Sequence, residues 1–276
     1  MEATAADSHF GDVAANSAAM AADEAISSNG LPSLGLLSEV HEIVIPPIPC
    51  SFFWKNHPDY KQLTVMSDAW VLSHFPNMPG ADGRPSSFAA DHLINSAFHM
   101  QATMPFATGL SARMPPIIKM INWFFMIDNI LDDPQEMGAD PARADHVVDS
   151  VLTVFRDTYQ HPSPNPSPLV HILTDTAAEW WAEMCQDMPP KQKARLSTAF
   201  CDYLEANRRQ VPFRNSRHLP DVETYFKMRA DSIGWWPCAV LIEHSQGFEL
   251  DDESLSHPLL MALQEATVQH IFLEAL

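Results

Sequence analysis

Proline does more than any other residue to restrict how this chain can fold. Twenty-three prolines stand against only nine glycines in 276 residues. Between the prolines run long segments in which apolar side chains recur at helical period. A proline opens or ends a helix because its ring fixes φ and removes the N–H, so this punctuation cuts the chain into helices and predicts an all-α fold. One segment runs from Asn56-His57-Pro58 through Tyr60, Leu63, Met66, Trp70 and Phe75 and stops at Pro76. A second runs from about Ser86 through Phe88, His92, Asn95, Phe98 and Ala102 to Pro105. Pro115-Pro116 opens a long helix, and more helices are predicted near 142–159, 169–187 and 190–209. Leu219-Pro220-Asp221-Val222-Glu223 opens another with a proline and two acids. Asp251-Asp252-Glu253, after Gly247, reads as one more helix start.

Residues 1–44 are rich in Ala, Ser and Asp, contain no Lys or Arg, and are expected to be a disordered acidic leader. Ile45-Pro46-Pro47-Ile48-Pro49 is an extended run leading into a helical domain over 45–276. The net charge of -19 argues against nucleic acid and anionic membrane surfaces as partners. Cys50, Cys185, Cys201 and Cys238 form no C-x-x-C pair, which argues against a zinc site or a disulfide framework. No signal-peptide pattern and no membrane-length apolar run is present. A cytosolic protein is expected, monomer or homodimer.

Chemistry concentrates in Trp123-Phe124-Phe125-Met126-Ile127-Asp128-Asn129-Ile130-Leu131-Asp132-Asp133. On a helix Asp128 and Asp132 share one face, with Asn129 and Asp133 one step round. Hard divalent cations want such oxygens, and Mg2+ takes one or two carboxylates, waters and substrate phosphates. Acids are unfavourable at a helix C-terminus, where the macrodipole is already negative. A plainer reading competes: solvated capping and turn chemistry before Pro134. Downstream, Arg229 stands one turn before Ser232-Ile233-Gly234, and Pro237 follows, so a kink is predicted there. An arginine beside such a break can hold an anion, although the same residues also serve packing and surface ion pairs.

Together these residues resemble the microbial class I terpene synthases, and most closely the fungal sesquiterpene cyclases. Trp123-Phe124-Phe125-Met126-Ile127-Asp128-Asn129-x-x-Asp132 is similar to their aspartate-rich metal motif. Leu219-Pro220-x-x-x-x-Tyr225-x-x-x-Arg229-x-x-Ser232-Ile233-Gly234 is similar to their diphosphate-sensor segment. Asn56-His57-Pro58-Asp59 resembles an early element with His and Pro exchanged. The resemblance implies an antiparallel helical bundle around an apolar pocket, with three Mg2+ ions and basic residues gripping a prenyl diphosphate at its mouth. It implies that Asp128, Asn129 and Asp132 are metal ligands. It implies that Arg229 senses the diphosphate, Ser232 is the linker, and the Ile233 carbonyl beside Gly234 faces the forming cation. Phe125 and Phe98 are implied to line the pocket. The expected activity is Mg2+-dependent cyclisation of a linear prenyl diphosphate, farnesyl diphosphate first, to a sesquiterpene.

Two departures qualify this. The motif carries Asn129 where the family usually has a second acid, which leaves an oxygen ligand of lower charge. The family's later N-D-x-x-S-x-x-x-E metal motif is absent from the sequence. A domain incomplete at its C-terminus, with impaired turnover, is therefore expected. The alternatives are a non-catalytic helical remnant that binds diphosphate and a prenyl chain-elongating synthase. The latter should show two D-D-x-x-D-type motifs.

Overall fold

The computed structural model describes residues 55–75, 90–133, 137–138, 140–160, 168–215 and 220–274. The acidic leader, the Ile45–Pro49 run, Cys50, Phe88 and Leu219 lie outside the described residues. Among the described residues every regular element is a helix. These are α1 (Tyr60–His74), α2 (Ala90–Asn95), α3 (Met100–Thr103), α4 (Met114–Asp132), α5 (Pro141–Phe155) and α6 (Pro168–Cys185). They continue as α7 (Pro190–Asn215), α8 (Val222–Ser232), α9 (Trp235–Gln246), α10 (Asp252–Leu255) and α11 (Pro258–Glu274). The prolines fall where expected: α5, α6, α7 and α11 each begin on one, and α4 carries prolines in its first turn.

The long helix is the centre of the fold. Met114, Ile117, Ile118, Met120, Ile121, Trp123, Met126, Ile127, Ile130 and Leu131 are all buried, so α4 is apolar nearly all round. Trp123 is fully buried, and its indole N–H donates to the Leu173 carbonyl of α6 at 2.9 Å. Trp123, Phe155, Trp180, Trp181 and Phe200 form one aromatic cluster that joins α4, α5, α6 and α7. Asn122 is buried too, and donates to Ser67 Oγ of α1 at 2.7 Å and to Ile118 O. Burial of these polar groups is compensated because each has a partner.

Cross-helix pairs give the directions. Trp123 meets Leu173 while Lys119 meets Glu179 and Glu183 at 2.7 Å, so α4 and α6 are antiparallel. Arg208 meets Asp149 while Ser197 meets the Phe155 carbonyl, so α5 and α7 are antiparallel. Phe200 meets Trp123 and Tyr203 meets Asp128, which makes α7 parallel to α4. Arg195 grips the buried Glu243 through two 2.7 Å bonds and Gln192 reaches Phe248 O, which sets α9 antiparallel to α7.

Three elements depart from the sequence reading. The helix expected to run from about 86 to 102 is instead the short α2 and α3, separated where Ala97 adopts a left-handed φ of 52°. Helix α7 runs past 209 to Asn215, with Pro212 inside it. Buried Gln210 and Val211 hold that last turn against its neighbours while Pro212 faces solvent. Helix α5 ends at Phe155 rather than 159, where Asp157 turns left-handed at φ 55°. Among the described residues no helix is long and apolar enough to cross a membrane, and Cys185, Cys201 and Cys238 are free thiols.

Candidate active site

Parallel packing of α4 and α7 brings Tyr203 beside the acidic end of α4. Its hydroxyl donates to Asp128 Oδ1 at 3.0 Å, and its ring stacks on Phe124 at 4.3 Å. Tyr203 is 1% exposed. Burial first, then the adjacent Asp128 carboxylate, push its phenol well above the ordinary tyrosine range, with Asp132 adding to the shift and Arg229 opposing it. The phenol therefore stays protonated and acts as a donor. The charges of Asp128, Asp132 and Arg229 all bear on this one phenol. Asp128 and Asn129 are half-buried and Asp132 is exposed.

The break after α8 forms as the sequence predicts. Asp221 caps α8 by accepting from the Thr224 N–H at 2.8 Å, and the ladder ends with Ile233 N–H donating to Arg229 O. Gly234 then turns left-handed with φ 76°, and α9 restarts at Trp235 with Pro237 in its first turn. Pro237 thus starts the new helix, and the glycine makes the break. A Cβ on Gly234 would lie 2.2 Å from Phe124 Cζ, so the break sits directly on the aromatic lead-in to Asp128. Phe125, on the neighbouring step of α4, stacks on Phe98 at 4.2 Å and 8° between planes. The aromatic faces of Phe98, Phe125, Phe124 and Tyr203 are therefore contiguous.

Three buried donors at this break lack a hydrogen-bond partner: Arg229 Nε, Ser232 Oγ and Trp235 Nε1. Buried donors are ordinarily satisfied, and leaving one unpaired costs on the order of 1–3 kcal/mol. All three fall within the seven residues 229–235 that span the break. Ile233 is half-buried beside them. On α4, two carboxylates and an amide oxygen offer hard oxygen donors, a set that fits Mg2+ completing its shell with water and phosphate. Among the described residues no group of three His, Cys, Asp or Glu gathers closely enough to hold an ion alone.

The early Asn56-His57-Pro58-Asp59 element is not brought to this site. His57 Nε2 pairs with Gly109 O, its Nδ1 accepts from Asp59 N–H, and Asp59 accepts from Ser111, so the element ties α1 to the loop before α4. Asp251 caps α10, and Asp252 pairs with Lys191. Tyr203, Phe124 and Trp235 were not singled out as site residues from the sequence. Tyr203 stands three residues after Phe200, and helical spacing alone places it with the apolar face of that helix.

Residues 119–274 match the family model described as terpene synthase family 2, C-terminal metal binding. The chain belongs to this family. As a terpene synthase family 2 chain it is 25% identical over 227 residues to microbial terpene synthase-like protein 13 of Selaginella moellendorffii, covering 82% of this chain and 61% of that one. It is 27% identical over 221 residues to alpha-muurolene synthase of Coprinopsis cinerea, covering 79% of this chain and 49% of that one. It thus spans about half to three-fifths of the length of these relatives. Its fold is that of germacradien-4-ol synthase from Streptomyces citricolor, with a TM-score of 0.66 at 16% identity over 81% of this chain and 70% of that one.

Proposed function

We propose that this terpene synthase family chain carries the ionising site of a sesquiterpene cyclase acting on a linear prenyl diphosphate, with farnesyl diphosphate the first candidate. The observation that carries the reading is the trio of unpaired buried donors at 229–235, packed through Gly234 and Phe124 onto the helix of Asp128. In this reading Asp128, Asn129 and Asp132 hold Mg2+ and Arg229 holds the diphosphate, with Ser232 donating beside it. Bound Mg2+ would draw charge from the diphosphate and make it a better leaving group. The arginine and hydroxyl stabilise the same developing charge from fixed positions. The allylic C–O bond breaks and its electron pair leaves with the diphosphate. The cation left behind lies against the outward face of the stacked Phe98–Phe125 pair, whose quadrupoles attract positive charge. The Ile233 carbonyl, next to Gly234, supplies a dipole to it. A distal double bond then attacks the cation to close a ring, and the new cation so formed loses a proton to give a hydrocarbon, or takes up water and then loses a proton to give an alcohol. The names of the curated relatives, an alpha-muurolene synthase among them, support this substrate class.

The test is incubation of the purified chain with farnesyl diphosphate and MgCl2, with products read by gas chromatography–mass spectrometry. A cyclic hydrocarbon or alcohol is expected, and it should be lost in Asp128→Ala. Binding of diphosphate with Mg2+ but no product would instead identify a non-catalytic remnant. A longer linear prenyl diphosphate from added isopentenyl diphosphate would identify a chain-elongating synthase.

A further inference from the structure

The contacts around Asp128 go beyond a list of ligands. Its carboxylate is held from α7, a helix that carries none of the motif residues, by a fully buried phenol. That phenol cannot reorient easily. Its ring lies against Phe124 on one side, and Phe124 is also packed edge-on to Phe200 and Phe125. Beyond Phe124 stands Gly234, close enough that a single added carbon would overlap the ring. The chain of contact is therefore continuous, from the break that carries Arg229 and Ser232, through Phe124 and Tyr203, to the Asp128 carboxylate.

We propose that Tyr203 is a positioning residue for the metal site: its hydroxyl fixes the orientation of Asp128, and Phe124 makes that orientation depend on the register of the break at Gly234. The inference rests on the reading of Asp128 as a metal ligand. A hydrogen bond to a ligating carboxylate sets its direction and basicity, and loss of such a partner commonly lowers metal affinity by about 10–100-fold. The hydroxyl acts through Asp128 and has no contact of its own with substrate in this account.

Tyr203→Phe tests this because it removes the hydroxyl and keeps the stacked ring. Isothermal titration of inorganic diphosphate into the purified chain, at fixed MgCl2, reads the site without needing turnover. Thermal unfolding in EDTA reads the fold alone. Tyr159→Phe is the control, since its hydroxyl donates to Asp175 and its loss has the same chemical form away from α4. Both variants should melt within about 4 °C of the parent, as expected for loss of one hydrogen bond. Only Tyr203→Phe should weaken Mg2+-dependent diphosphate binding, by about 10-fold or more. Phe124→Leu, which keeps apolar bulk but breaks the stack, should weaken binding in the same direction. Parent-like affinity in Tyr203→Phe, with the parent itself binding, would overturn the positioning role and leave the proposed site standing. Failure of the parent to bind diphosphate at any Mg2+ concentration would remove the site and this inference together. Equal weakening in Tyr159→Phe would reduce the effect to general destabilisation and overturn the inference.

Discussion

Gly234 is under the tightest constraint of the site residues. Its φ of 76° lies in the left-handed region, and a Cβ there would meet the Phe124 ring at 2.2 and 2.6 Å. That ring cannot swing away, because Tyr203 lies stacked against it and Phe200 and Phe125 pack edge-on to it. Gly234→Ala should therefore destabilise by about 1–3 kcal/mol, read by urea denaturation, and lower Mg2+-dependent diphosphate binding as well. Asp128, Arg229 and Gly234 stand out in the sequence because acids four apart share a helix face and a glycine shortly after the arginine marks a break. Tyr203 does not. Helical period marks it as core but cannot say that its hydroxyl meets a carboxylate 75 residues away. The same limit hides Trp235, which brings a buried, unpaired N–H to the break.

Among the helices, α9 has two tasks. Its start carries Trp235, and its end docks on the loop before α4. There Arg113 donates to the His244 carbonyl at 2.5 Å, and Leu110 N–H donates to Ser245 O at 2.7 Å. The His244 ring is buried with Nδ1 unpaired, and burial, reinforced by the Arg113 charge, lowers its pKa to about 4, with Asp187 pulling the other way. The unfolded chain binds this proton from about pH 6.5 downward. The folded chain resists it until about pH 4. Between those values the unfolded state carries more protons, so stability rises with pH. The contribution is complete above pH 6.5 and is lost on acidification, by on the order of 2 kcal/mol at pH 5. Urea midpoints at pH 7 and pH 5 should show this fall, and His244→Phe should flatten it. Helix existence was legible from the prolines, and α4 to α8 all appear near their expected places. Helix length was less legible. Ala97 breaks a helix with no glycine or proline to announce it, and α7 continues through Pro212 because the packing of Gln210 and Val211 outweighs the lost backbone bond.

Across the whole molecule, apolar burial is uneven. The α4 core is closed, whereas α11 leaves Leu259, Met261 and Leu263 more than half exposed. Beside it a groove of about 650 Å³ is lined by Ala230, Trp236, Leu255, Met261 and Val268, among others. Leu259 and Leu263 instead line a second groove with Leu260 and His257, and exposed apolar surface of this kind favours self-association. Leu259→Lys with Leu263→Glu should therefore raise the monomer fraction in light scattering while leaving diphosphate binding unchanged. In the proposed reading the end of α4 and the α8–α9 break form one site. Hydrogen–deuterium exchange tests it directly, comparing the chain alone, with MgCl2, with inorganic diphosphate, and with both. Both together should slow exchange at 128–133 and at 229–236, and neither ligand alone should do so fully. Protection confined to the α11 groove, or to one of the two segments, would contradict it.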